Sequence, residues 1–206
     1  IAASTQLLHD ASLIHDDLID EDSERRGVQT IWKKYGKAKA LLIGDLLIAK
    51  AYETVGLSKE DPTLKLSWMN EISCAVNSAV SGAFTELEFN NSDEASILEN
   101  YYTMSSLKTG ALFALPVRCI ALFTKKSIHT SCLNKILLNI AVAYQIKDDQ
   151  CDFLGSEAGL QMSSDLKNGR PNIYNLYSQS KMSSAEIFNH IQDYHDSLVY
   201  NQLHFV

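Results

Sequence analysis

IHDDLIDEDSERRG, residues 14–27, closes an N-terminal segment in which Leu7, Leu8, Ala11, Ile14 and Leu18 recur at helical spacing. Three carboxylates, Asp16, Asp17 and Asp20, form a DDxxD pattern, and Arg25 and Arg26 follow it. On a helix, Asp16 and Asp20 share one face and Asp17 lies about 100° round. Carboxylates gather divalent metal, and guanidinium forks bind phosphate bidentately. One stretch holding both points to a metal–diphosphate site.

The aspartate pattern returns at Asp148, Asp149 and Asp152. Asp fills 14 of 206 positions, so one DDxxD arises by chance with a probability of about 0.06 and two with about 0.002. A single acidic cluster would pass as a solvated helix end; two matched ones do not. In the second, Leu137, Ala141, Tyr144, Asp148 and Asp152 follow helical spacing, so the apolar stripe runs into the aspartates. The carboxylates are therefore expected to point inward, where their repulsion is costly unless a cation or proton relieves it.

The rest of the chain frames these motifs. Hydrophobic residues make up 46%, and only three prolines and nine glycines occur, which leaves room for long helices. No segment alternates long enough to read as a strand, so the expected fold is all-α, in a single domain over residues 1–206. A formal charge of −7 argues against a nucleic-acid partner and suits a metal or cationic ligand. Cys74, Cys119, Cys132 and Cys151 show no zinc-site spacing, and no secretory segment is in view; reduced thiols and a cytoplasmic location are expected. The longest apolar run, Ala111 to Phe123, contains Pro116 and Arg118; it reads as a buried helix too short for a transmembrane segment. Ile1 enters a helical pattern without a cap, which suggests a partial domain lacking N-terminal helices.

Helices are expected over residues 1–20, 41–55, 63–89, 92–107 (with Ser92 as N-cap), 132–153, 173–178 and 184–203. Residues 21–37 read as a polar loop with a short helical piece near Trp32. His9 reads as a packed or hydrogen-bonded helix histidine, and Asp45, inside LLIGDLLIA, as a buried, hydrogen-bonded carboxylate. Lys108-Thr109-Gly110 interrupts the helical pattern between two apolar runs. Set side by side, the two motif helices would form a cup with Asp on two walls. Arg25, Lys108, Lys167 and Arg170 would be its basic rim, and an apolar wall below would hold a hydrocarbon tail. Mg²⁺ prefers oxygen ligands and completes its shell with phosphates. Thr109 and Gln145 could turn oxygen dipoles toward a cation, so the expected chemistry is ionisation of an allylic diphosphate.

DDLIDEDSERRG resembles the first aspartate-rich motif of trans-isoprenyl diphosphate synthases, and YQIKDDQCD, residues 144–152, resembles their second. GKAKALLIGDLL and SLKTGALF also match in order, so the similarity covers nearly the whole chain. The resemblance implies the isoprenoid-synthase helical bundle around a central cavity, usually a homodimer, with three Mg²⁺ ions. It implies condensation of isopentenyl diphosphate with an allylic prenyl diphosphate. Carried over by position, Asp16, Asp17, Asp20, Asp148, Asp149 and Asp152 would bind metal. Arg25 and Lys108 would bind the allylic diphosphate, Arg26 isopentenyl diphosphate, and Thr109 and Gln145 would face the developing cation, with Lys108, Thr109 and Gln145 forming the catalytic set.

Three departures stand out. The family's upstream GGKRxRP segment does not occur in the chain, so either the sequence is incomplete or the protein cannot couple as expected. The loop that usually reads DLxxGKxTxP is DLKNGRPNIY, with Arg170 for Lys and Asn172 for Thr. The acidic–Gln pair before the KT motif is weakened to Glu86 and Glu88. In this family a bulky aromatic before the first motif blocks tail growth; Ala11 and Ser12 stand there, which favours a product of about C20 or longer. Two alternatives are a terpene cyclase on the same scaffold and a non-catalytic subunit of a heteromeric synthase. Arg25-Arg26 beside a second intact DDxxD argues against the first, and six retained aspartates against the second.

Overall fold

A computed structural model describes residues 1–89, 96–125, 130–157, 169–178 and 182–200. Its elements are α1 (Ala2–Ile19), a hairpin of β1 (Glu24–Arg25) and β2 (Val28–Gln29), α2 (Ile31–Tyr35), α3 (Lys37–Gly56), α4 (Pro62–Leu87), α5 (Ile97–Ser105), a π-helical turn (Ser106–Gly110), α6 (Ala111–Thr124), α7 (Thr130–Glu157), α8 (Ile173–Ser178) and α9 (Ser184–Tyr200). The all-α expectation holds, apart from the hairpin. The chain divides into two compact units, residues 1–76 with 115–127, and residues 77–114 with 128–206.

In the first unit α1 packs on α3 through small side chains. Ala11, Ala40 and Ala51 are almost fully buried, and Ser4 Oγ donates to the Ala51 carbonyl. Small residues let the helices approach, and a hydrogen bond then satisfies the buried hydroxyl. Asp61 accepts from the Thr63 N–H at 2.8 Å, and Pro62 opens α4, so that helix starts with a side-chain cap and proline at its first position. Trp68 donates its indole N–H to the Cys119 carbonyl at 2.8 Å and stacks on Phe123.

The hairpin leaves no strand signal in the sequence because its strands have two residues each, too short for any alternation. Its turn is set by Arg26 and Gly27, at φ 53° and 77°. Two positive φ values in a two-residue loop match the twist of the flanking strands, and glycine takes the second at no cost.

The second unit is built round a cluster that joins Tyr101, Met104, Val142, Ile146, Ile173, Tyr174 and Ile191. Tyr174, Phe153 and Phe188 add a three-ring contact, with centroids 4.8–6.2 Å apart. Asn172 caps α8 by accepting from the N–H groups of Tyr174 and Asn175. Ser183 and Glu186 form a capping box at the start of α9. The expected cap Ser92 and the end of the last helix beyond residue 200 lie outside the described residues.

The run Ala111–Phe123 needs two corrections. It is helical and buried on one face, at Ala114, Leu115 and Cys119, but Ile120 and Phe123 are more than half exposed. The helix also does not stop at Lys108-Thr109-Gly110. The π turn carries it through, so Ile97–Thr124 is one 28-residue helix, long and apolar enough to cross a membrane by length and composition alone. Tyr101 and Met104 on that helix are buried in the protein core. A π turn accommodates one extra residue without ending the helix, and that is why the sequence read as broken.

Candidate functional site

The first acidic cluster sits at the end of α1, in the first unit. Asp17 is buried, and its Oδ1 accepts from Arg25 Nε at 2.7 Å. Burial pushes the Asp17 carboxyl above its ordinary value, and the hydrogen bond and charge of Arg25 pull against that shift. Asp16 and Asp20 are half-buried on the neighbouring face. The Asp22 carbonyl fixes the hairpin next to them, accepting from Thr30 Oγ1 and Trp32 Nε1, each at 2.6 Å. Arg25 thus reaches the acidic motif, whereas Arg26, in the turn, is exposed.

His15, beside Asp16, lies 3.6 Å from Asp45 and 3.4 Å from the Leu41 carbonyl. Gly44 makes room for that ring, since a Cβ there would stand 2.1 Å from His15 Nε2. The reading of Asp45 as buried is corrected: its side chain is 60% exposed, at the solvent edge of the α1–α3 contact beside His15. His9 is likewise exposed rather than packed, 3.8 Å from Asp10.

The second unit holds Lys108, Thr109, Gln145, Asp148, Asp149 and Asp152. Lys108 Nζ meets Glu86 Oε2 at 2.6 Å, and both side chains are largely covered. Gly82 brings α4 against the π turn; a Cβ there would lie 2.4 Å from the Lys108 backbone nitrogen. Thr109 Oγ1 donates to Gln145 Oε1 at 3.0 Å, and Gln145 Nε2 donates to Asp149 Oδ1 at 3.1 Å. Asp149 Oδ2 accepts from Tyr101 OH and from the Ile173 N–H, each at 2.8 Å. Asn172 Nδ2 donates to the Asp149 carbonyl at 2.9 Å.

Asp149 therefore differs from its neighbours. Burial pushes its carboxyl up to about 7, against the pull of the Ile173, Gln145 and Tyr101 donors. Both its oxygens are engaged by protein groups. Asp148 is exposed and Asp152 half-buried. The apolar stripe expected through Tyr144 and Asp148 is displaced by one residue: Val142, Ile146 and Asp149 face the core, and Tyr144 is 56% exposed. Clustering about Tyr101, Ile173 and Tyr174, not the longest apolar spacing, sets which face of α7 is inward.

Arg170 is described and half-buried, three residues before Ile173; Lys167 lies outside the described residues. Tyr101 is the site residue that sequence reading missed. Its only signal was an aromatic seven residues before Lys108, which is ordinary for a core position.

Oxygen donors at Asp16, Asp20, Asp148 and Asp152 suit Mg²⁺ in kind. Among the described residues no group of three or more acidic, His or Cys side chains stands close enough to enclose an ion. Mg²⁺ is commonly held by one or two carboxylates with waters and substrate phosphates, so the carboxylates of either motif suit it in kind without forming a protein cage.

Comparison with known proteins identifies the family. A family model described as polyprenyl synthetase matches residues 1–199. The short chain isoprenyl diphosphate synthase of Methanocaldococcus jannaschii is 33% identical over 180 residues, 86% of this chain and 54% of that protein. The geranylgeranyl diphosphate synthase of Methanosarcina mazei is 29% identical over 190 residues, 91% of this chain and 58% of that protein. The chain thus spans little more than half the length of these relatives. The crystal structure of geranylgeranyl pyrophosphate synthetase from Pyrococcus horikoshii superposes with a TM-score of 0.78 at 27% identity, covering 97% of this chain and 68% of that one. With the two DDxxD helices and the Lys-Thr turn in place, the chain belongs to the polyprenyl synthetase family.

Proposed function

We propose that the protein is a trans-prenyltransferase that condenses isopentenyl diphosphate with an allylic prenyl diphosphate, releasing diphosphate. The observation that carries this reading is the cluster on the π turn and α7. Lys108 is positioned by Glu86, and Thr109 and Gln145 are held by hydrogen bonds beside the second acidic motif. Lys108 and Arg25 are the proposed partners of the allylic diphosphate, with Arg170 and Lys167 as further cations. Arg26 is the proposed contact for isopentenyl diphosphate.

In the reaction the allylic carbon–oxygen bond breaks and its electron pair stays on the departing diphosphate. The alkene electrons of isopentenyl diphosphate form the new carbon–carbon bond, and a proton passes to the released diphosphate. Lys108 and Arg25 stabilise the charge gathering on the leaving group, and the oxygens of Thr109 and Gln145 face the cation left behind. Asp16, Asp20, Asp148 and Asp152, the more exposed carboxylates of each motif, are the proposed Mg²⁺ ligands. Bound Mg²⁺ supplies charge neutralisation to the diphosphate.

A product of about C20 or longer is supported by Ala11, which is 1% exposed and carries nothing beyond Cβ, and by Ser12, whose hydroxyl donates to the His9 carbonyl at 2.8 Å. A homodimer is proposed from the family resemblance alone. Lys108→Ala in the full-length protein is expected to lower kcat/KM for the allylic substrate about 100-fold, read by steady-state coupling of labelled isopentenyl diphosphate. A change under threefold would remove Lys108 from the site.

A further inference from the structure

We propose that Tyr101 is a positioning residue for the reaction, acting through Asp149 and Gln145 to orient the hydroxyl of Thr109. This rests on the prenyltransferase reading above. The relay starts and ends on one continuous helix and crosses α7 in between. Tyr101 OH holds Asp149 Oδ2, Asp149 Oδ1 accepts from Gln145 Nε2, and Gln145 Oε1 accepts from Thr109 Oγ1.

The direction of each bond follows from the first. A side-chain amide is nearly symmetric in shape, and only its partners decide which end points where. Asp149 is an acceptor, so the Gln145 nitrogen faces it and the Gln145 oxygen faces Thr109. Thr109 must then donate, which turns its lone pairs away from Gln145 and leaves them for a positive charge. If Gln145 turned over, its N–H would face Thr109, whose hydroxyl would become the acceptor and whose hydrogen would point outward.

Asp149 keeps this setting because its Oδ2 is held from two sides, by Tyr101 and by the Ile173 N–H. Tyr101 is fully buried, so its hydroxyl does not exchange this partner for water. Without it, one contact instead of two opposes rotation of the carboxylate, and Oδ1 no longer has a fixed place for Gln145. Cooperative chains of this kind are worth more than their separate bonds.

The test uses the full-length protein with Mg²⁺ and two inert analogues of one allylic diphosphate. One is a thiolodiphosphate, neutral at the reacting carbon. The other carries an ammonium nitrogen there and mimics the cation. Tyr101→Phe keeps the ring and removes the hydroxyl. It is expected to weaken the ammonium analogue about tenfold and the thiolodiphosphate less than twofold, with kcat down about tenfold and KM unchanged. Asp149→Asn gives a second route should the first variant fold poorly, because its N–H₂ meets Gln145 Nε2 and turns that amide over; the same selective loss is expected. In a Thr109→Val background, Tyr101→Phe should cost the ammonium analogue nothing further. Equal weakening of both analogues, no change in either, or full additivity with Thr109→Val would overturn the proposal. A wild-type protein that binds neither analogue would overturn the prenyltransferase reading, and the role of Tyr101 with it.

Discussion

Asp149→Ala is expected to destabilise the protein by about 3–5 kcal/mol, a large part of an ordinary domain's stability. The carboxylate is the acceptor for three donors: Tyr101 OH, the Ile173 N–H and Gln145 Nε2. Tyr101 and Ile173 are fully buried, so water does not take over, and each abandoned donor costs about 1–3 kcal/mol. The effect also spreads. Asp149 joins α5, α7 and the start of α8, and it fixes the segment that carries Arg170. Asp149→Asn retains an acceptor for Tyr101 and Ile173 and should cost about half as much. Urea denaturation of the two variants checks this. A midpoint for Asp149→Ala within experimental error of the wild type would show that the donors find other partners.

Gly82→Ala is the second large effect. The added Cβ would meet the Lys108 nitrogen at 2.4 Å, Lys108 Cα at 2.8 Å and the Leu107 carbonyl carbon at 2.9 Å. All three are backbone atoms, so no side chain can turn aside. α4 must retreat from the π turn, and overpacking of this kind costs about 3 kcal/mol, well above the ~1 kcal/mol that alanine gains in a helix. The retreat also separates Glu86 from Lys108, so activity is expected to fall further than stability alone would require. Gly110→Ala is the control. Its Cβ would meet Leu138 Cδ2 at 2.6 Å, the far end of a flexible side chain, and a loss of about 1 kcal/mol is expected. Thermal melts and coupling rates of the pair separate the two cases. Equal losses would mean that the close approach at Gly82 has no special weight.

Most of the helices were legible because hydrophobic spacing at 3.6 residues is a local signal. The gathering of acidic and basic residues between Asp16 and Arg25 was legible too, but not the bond from Arg25 to Asp17, which depends on the hairpin. The π turn was not legible: its extra residue breaks the spacing that a helix is recognised by, so Lys108-Thr109-Gly110 read as an interruption. The inward face of α7 lies one residue from the one its spacing predicts, for a related reason. Tyr144 and Asp148 extend the longest apolar pattern, yet the face is decided by partners distant in sequence, Tyr101 and Ile173. Asp149 could not be told from Asp148 by spacing alone. Only the three donors gathered round it distinguish an engaged carboxylate from an exposed one.

The central claim is coupling of isopentenyl diphosphate to an allylic diphosphate. Its most direct test incubates the full-length protein with Mg²⁺, radiolabelled isopentenyl diphosphate and farnesyl diphosphate, beside Asp16→Ala. Label is expected in longer prenyl diphosphates, of about C20 or more, and is expected to vanish in the variant. Metal-dependent loss of farnesyl diphosphate without labelled product would contradict the claim and indicate a cyclase; consumption of neither substrate would contradict it and indicate a non-catalytic subunit.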